Sequence, residues 1–264
     1  VNVLVMTDLE GVAGVVDFES QSYASGKYYE QAKHLLTAEV NAAVEGLRDG
    51  GAVEILVLDM HGPGGIVYEE LASSAWLFHG RPIPPRWFDL DFFHHADAAV
   101  MIGQHAMAGV PDATLNHTMD SRAIASYRIN DRPVGEIGLF ALCCGAHGVP
   151  LVFLSGDAGA CLEARDLIPN IHTVSVKKGL SRTCAISLPA KSSRNLIKAG
   201  AQEALRRQKK DPVQPLVWPG PHVLEKRFFT TTQADEAEKT PGVERVDALT
   251  VRIQGEKILD VVYR

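Results

Sequence analysis

Residues 1–14 read VNVLVMTDLEGVAG. Val3, Leu4, Val5 and Met6 form an unbroken apolar run rich in valine, the pattern of a strand buried on both faces of a parallel sheet. The run ends in two carboxylates, Asp8 and Glu10. Residues two apart on an extended strand point the same way, so an extended continuation brings the two acids to one side. Like charges that close repel, and each raises the other's pKa unless a cation lies between them. A strand end fraying into solvent, with Asp8 opening a turn and Gly11 closing it, fits the same residues. The alternative is a metal site at the carboxyl end of a parallel strand, where open α/β sheets place their ligands. The other strand ends bear on the choice.

Beyond a loop rich in Gly, Ser and Tyr, Ala32, Leu35, Leu36, Val40, Ala43, Val44 and Leu47 recur at helical spacing, and Gly50 and Gly51 stop the helix. EILVLDMHGPGG (54–65) is a second buried strand running into a Gly/Pro turn. A short helix is expected over about 67–74. AAVMIGQHAMAG (98–109) is a third strand, and SYRINDRPVGE (126–136) a strand, a turn and the start of a helix that continues through GLFALCCGAHG. VPLVFLSGDAGA is a fourth strand-to-turn unit, 172–176 a further strand, and 189–208 a charged helix ending in the solvated run RRQKKD. Strands alternating with helices predict an α/β fold with a mainly parallel sheet flanked by helices. The proline-rich 212–221 reads as a linker between a catalytic α/β domain, 1–211, and a small C-terminal α+β subdomain, 222–264.

The 264 residues suffice for a sizeable core, and 46% hydrophobic with 22% charged residues is ordinary globular composition. A net charge of -6 argues against nucleic-acid binding, which needs a basic face. No apolar stretch has the length of a membrane span, and the N-terminal strand shows no leader pattern, so neither membrane association nor a signal peptide is expected. The four cysteines contain no C-x-x-C pair, and Cys143 and Cys144 fit a helix as small hydrophobes. The expected compartment is the cytoplasm.

Strand two leaves Asp59 and His61 past its apolar run, and strand three leaves His105 in the same place. The carboxyl ends of parallel strands line one edge of the sheet, which lets Asp8, Glu10, His61 and His105 converge. Carboxylates mixed with imidazoles suit zinc or a similar transition ion better than magnesium. Glu136 follows in VGEIG, where an acid in the first turn of a helix is also favoured by the dipole alone. His117, in LNHTMDS, is an imidazole available for acid–base work. Asp157, in SGDAGA, serves equally as a helix N-cap.

Taken in order, TDLEGVAG, LDMHG, GQHAMAG, NHTM, INDRPVGEIGL and GDA resemble the DppA-type D-aminopeptidases, peptidase family M55, and VKKGLSR extends the similarity. The resemblance runs through nearly the whole chain. It departs in Thr7, where the family often has Ser, and in the short C-terminal EKILDVVYR. The family implies a two-zinc site. By motif, its metal ligands are Asp8, Glu10, His61, His105 and Glu136, with Asp8 bridging the two ions and His117 the catalytic histidine. It also implies a short-peptide substrate and a ring-shaped homo-oligomer, a decamer, that encloses the active sites.

Such a site uses zinc to activate water and stabilise an oxyanion while a histidine moves protons. Preference for D residues follows from the family and not from the residues themselves. Two enzymatic rivals echo the same motif. MTDLEGV resembles the D-x-D-G-T opening of magnesium phosphohydrolases, but Glu10 and Val12 replace its second Asp and its Thr, and the histidines find no role there. A D-x-E exonuclease is disfavoured by the acidic charge. A non-catalytic metal-binding module is the rival from outside enzymology.

Overall fold

The apolar runs become the strands of a central sheet in the computed structural model, which describes residues 1–263. In chain order the elements are β1 (Asn2–Thr7), α1 (Tyr29–Asp49), β2 (Glu54–Asp59), β3 (Trp76–Phe78), α2 (Asp91–His95), β4 (Ala98–Gln104), β5 (Ile124–Ile129), β6 (Arg132–Pro133) and α3 (Glu136–Ala146). There follow β7 (Leu151–Asp157), α4 (Ala158–Leu167), β8 (His172–Ser181), β9 (Cys184–Ser187), α5 (Ala190–Gln208), β10 (His222–Phe228), α6 (Thr231–Glu238), β11 (Val243–Arg245) and β12 (Thr250–Gly255). The large sheet has the order β3-β2-β1-β4-β7-β8-β9. Every pairing in it is parallel except that of β8 with β9.

This architecture follows from the residue pattern. Every residue of β4 and β7 is buried, as continuous apolar runs require when both faces of a sheet are covered. Helix α1 turns Ala32, Leu36, Val40, Ala43, Val44 and Leu47 inward at helical spacing and packs on α5. Helices α3 and α4 form a second contacting pair over β7. Each fully buried Leu or Phe of this core contributes roughly 1.5–3 kcal/mol.

Strand β1 lies between β2 and β4. The chain moves from β1 outward to β2 and β3 on one side, and through β4 to β7 and β8 on the other. The carboxyl ends of β1 and β4 therefore flank the point where the direction of winding reverses, the usual crevice for ligands in open α/β sheets.

Two expectations differ from the observed structure in detail. Residues 67–74 form only a short helical turn at Tyr68–Glu70 before the edge strand β3. Asn41 of α1 holds this segment out of a helix: its side chain donates to Glu70 O at 2.7 Å and accepts from Ala72 N at 2.8 Å. The C-terminal strands form an antiparallel sheet of order β11-β12-β10-β5-β6, so the small sheet is completed by residues 124–133. Among the described residues, no helix is long and apolar enough to cross a membrane.

Candidate metal centre

Strand β1 ends at Thr7, and the next residues turn. Asp8 Oδ1 accepts from Leu9 N at 2.8 Å, and Val12 N donates back to Leu9 O at 3.2 Å. The two acids are thus gathered by a turn, not by strand alternation. The turn is pinned to β4: Asp8 N donates to Ile102 O at 2.9 Å and Gly11 N to Gly103 O at 2.7 Å. Gly103 has φ +78°, and a Cβ on Gly11 would sit 1.9 Å from Gln104 O, so a side chain at Gly11 would push the turn off β4. This close docking sets the distance between the β1 carboxylates and His105 at the end of β4.

The structure brings together the six residues that the family resemblance assigns to the site, and leaves Asp59 and Asp157 outside the cluster. Asp8 Oδ1 and Glu10 Oε2 lie 3.2 and 3.1 Å from His61 Nδ1. Asp8 Oδ2 lies 3.0 Å from His105 Nε2, and Glu136 Oε1 lies 3.4 Å from that nitrogen. His117 Nε2 stands 3.8 Å from Glu136 Oε1, with its ring stacked on His105. Glu136 is the first residue of α3, where the positive end of the helix dipole favours it, and it also accepts from Met119 N at 2.7 Å.

Backbone carbonyls fix the orientation of each imidazole. His61 Nε2 pairs with Ser22 O at 2.8 Å, His105 Nδ1 with Ala106 O at 2.9 Å, and His117 Nδ1 with Leu115 O at 2.9 Å. A carbonyl only accepts, so these nitrogens carry the protons, and in the neutral rings the opposite nitrogens present lone pairs to the carboxylates. Lone pairs facing carboxylate oxygens at about 3 Å repel unless a positive charge joins them. Asp8 Oδ2 and His105 Nε2 are both buried without a hydrogen-bond partner. Donor atoms of Asp8, Glu10 and His105, and of His105, His117 and Glu136, lie close enough together to hold ions. The residues present fit a divalent cation, with backbone acceptors holding the far side of each ring as such ligands require.

Electrostatics shows the same demand for positive charge. Burial and Glu10 raise the pKa of Asp8. Burial opposes ionisation of Glu10 and Glu136, but His61 keeps Glu10 well below the usual carboxylate range and His105 brings Glu136 down to about 2. Burial also opposes charge on His61 and His105, yet Glu10 and Glu136, with Asp8, hold both well above the usual imidazole range. His117 differs: burial and the neighbouring His105 lower its pKa.

Three supporting residues were not identified from the sequence. Ser22 donates its hydroxyl to Glu10 Oε1. Lys177 in β8 is 2% exposed, and its ammonium donates to the main-chain carbonyls of Glu10 and Val15 beneath the turn. Arg81 donates to the carbonyls of Asp59, His61 and Gly62, fixing the loop that carries His61. Asp59 itself organises that loop by accepting from Gly65 N at 2.8 Å and Ile66 N at 3.2 Å, and Asp157 caps α4 through Gly159 N at 2.8 Å.

The site opens into a cavity of about 420 Å³ whose wall includes Asp8, Glu10, His61, His117 and Glu136. The family model for M55 peptidases, described as D-aminopeptidase, matches residues 1–264. The D-aminopeptidase of Bacillus subtilis (strain 168) is 35% identical over 258 residues, which cover 96% of this chain and 91% of that protein. A solved structure, described as the Zn-dependent D-aminopeptidase DppA from Bacillus subtilis, a self-compartmentalizing protease, superposes with a TM-score of 0.91 at 32% identity, covering 98% of this chain and 93% of that one. With its fold and its whole length in agreement, the chain belongs to the M55 peptidase family of D-aminopeptidases.

Proposed function

We propose that this chain is a zinc-dependent aminopeptidase with two ions per chain, releasing N-terminal D residues from short peptides or aminoacyl amides. The observation that carries the two-ion reading is the placement of Asp8, whose Oδ1 faces His61 at 3.2 Å and whose Oδ2 faces His105 at 3.0 Å. One carboxylate aimed at two separate imidazoles suits a bridge. Glu10 and His61 complete one ligand group around it, and His105 and Glu136 the other. Imidazole and carboxylate donors suit zinc, and the solved relative is described as Zn-dependent. Held by these residues, zinc would supply Lewis-acid polarisation of a peptide carbonyl and a water of lowered pKa.

The protein's own residues supply the rest. His117 presents its Nε2 lone pair because Nδ1 is held by Leu115 O, and burial beside His105 favours the neutral ring. A neutral imidazole takes a proton from attacking water and returns it to the leaving amine. Phe18 stands edge-on to His117 at 5.4 Å and keeps solvent from that side of the ring. The acidic wall offers carboxylates to a free N-terminal amine. The site works inside a homo-oligomer that encloses it, a reading supported by the solved relative being described as a self-compartmentalizing protease. The four free cysteines accord with a reducing compartment such as the cytoplasm.

The test is hydrolysis of D- and L-alanyl amides before and after chelation. The reading predicts cleavage of the D substrate, loss with chelator and return with zinc. Bound zinc without cleavage of any aminoacyl amide would leave a metal-binding module, and turnover of phosphate esters would favour the phosphohydrolase.

A further inference from the structure

The short helical segment Phe18–Ser22 ends in a residue that contacts two of the proposed ligands at once. Ser22 is 1% exposed. Its hydroxyl donates to Glu10 Oε1, and its main-chain carbonyl accepts from His61 Nε2 at 2.8 Å. Each contact takes the atom of its partner that the other ligand does not face. With Oε1 held by the hydroxyl, Glu10 presents Oε2, which lies 3.1 Å from His61 Nδ1. With Nε2 held by the carbonyl, His61 presents Nδ1 to Glu10 and to Asp8 Oδ1. One residue thus sets the rotation of both side chains.

The other ligand group is oriented without this segment. His105 Nδ1 is fixed by the carbonyl of its own neighbour, Ala106, at 2.9 Å, and Glu136 accepts from Met119 N at 2.7 Å. The segment is anchored from outside the centre. Asp17 Oδ1 accepts from Ser20 N at 2.8 Å and from Ser20 Oγ at 2.6 Å, and Tyr28 N donates to Ser20 O at 2.7 Å. The hydroxyls of Tyr23 and Ser121 pair at 2.7 Å just beyond it.

We infer that Ser22 is a positioning residue for one of the two ions, that of Glu10 and His61, and has no part in holding the other. This rests on the two-ion reading and gives the two ions different dependences on one serine. A hydroxyl bonded to a carboxylate is charge-assisted and roughly twice as strong as a neutral hydrogen bond, so its removal frees Glu10 to turn Oε2 away. Partners that orient metal ligands in this way typically change metal affinity by about 10–100-fold.

The test measures zinc binding to metal-free protein, by competition with a chromophoric chelator, for wild type, Ser22→Ala and Ser20→Ala. Ser22→Ala should weaken one of two binding steps by about 10–100-fold and leave the other unchanged. The weakened step should be the one that Glu10→Gln also weakens. Ser22→Gly, a second variant without the hydroxyl, should show the same selective shift. Ser20→Ala removes the hydroxyl bond to Asp17 within the segment and no bond to a ligand, so it should shift neither step. Circular dichroism establishes that each variant is folded. Equal weakening of both steps by the Ser22 variants, no weakening of either, or the same shift in Ser20→Ala would overturn the assignment and leave the two-ion site standing. Wild-type protein that binds a single zinc would overturn the two-ion reading and this inference with it.

Discussion

The rings of His105 and His117 stack face to face, with centroids 3.9 Å apart and planes 15° from parallel. Their ring nitrogens nevertheless face different partners. His105 Nε2 points between Asp8 and Glu136, at 3.0 and 3.4 Å, whereas His117 Nε2 reaches only Glu136, at 3.8 Å. On the proposed reading, His105 ligates and His117 transfers protons.

Replacing His117 by Ala should therefore leave the metal content unchanged and reduce kcat by about a hundredfold or more. Elemental analysis and steady-state kinetics on the same preparation check this. Loss of an ion would make His117 a ligand with His105 and Glu136, and activity within a few-fold of wild type would remove it from proton transfer.

Asp8→Ala should lose both ions and all measurable turnover, because in the proposed two-ion site each ligand group draws one oxygen from this side chain, which faces His61 with Oδ1 and His105 with Oδ2. Glu10→Gln, which touches only the His61 group, should weaken one ion more than the other. Metal content after dialysis separates the two. Full occupancy in the Asp8 variant would rule out a bridge.

A stability prediction comes from outside the centre. Burial pushes the Glu39 carboxyl from its ordinary 4.5 up to about 7, against the lowering effects of Ser193 and the Ala13 N–H. The folded state holds this proton more tightly than the unfolded chain, so its contribution falls as pH rises from 4.5 to about 7 and then levels off. Glu39→Gln should be more stable than wild type at pH 8, by roughly 1–3 kcal/mol, with the difference closing toward pH 4. Urea unfolding of metal-free protein across that range measures it. A variant less stable at pH 8 would show that the ionised carboxylate, through Lys177 nearby, is favourable.

How much of this was legible in the sequence depends on the range of the interactions. The buried strands and α1 follow from local apolar periodicity, and Asp8, Glu10, His61 and His105 stand out as acids and histidines placed just past those strands, whereas the roles proposed for Glu136 and His117 come from the family resemblance. The pairing of β10 with β5 joins segments nearly a hundred residues apart, as in the pair Leu224 and Ile129, and leaves no periodic trace in either. Lys177 reads as a surface lysine in VKKG, although successive side chains on a strand face opposite ways, so one of two adjacent lysines must turn inward. Its carbonyl partners are 167 and 162 residues away. Cavities, likewise, exist only once distant walls meet: Met60 and Lys226 share one.

Enclosure in an oligomer predicts that size exclusion, not chemistry, limits the substrate. Light scattering should report an assembly much larger than a dimer, and the enzyme should act on short peptides while leaving folded proteins intact. A monomer that trims folded substrates would refute enclosure. A monomer confined to dipeptides would remove the need for it without touching the site.

The central claim, a two-ion site built around Asp8, is tested most directly by titrating metal-free enzyme with zinc while following hydrolysis of a D-alanyl amide. Activity should be absent without metal and rise to its maximum as the second equivalent per chain is bound. Full activity at one equivalent, or in the metal-free enzyme, would contradict the account.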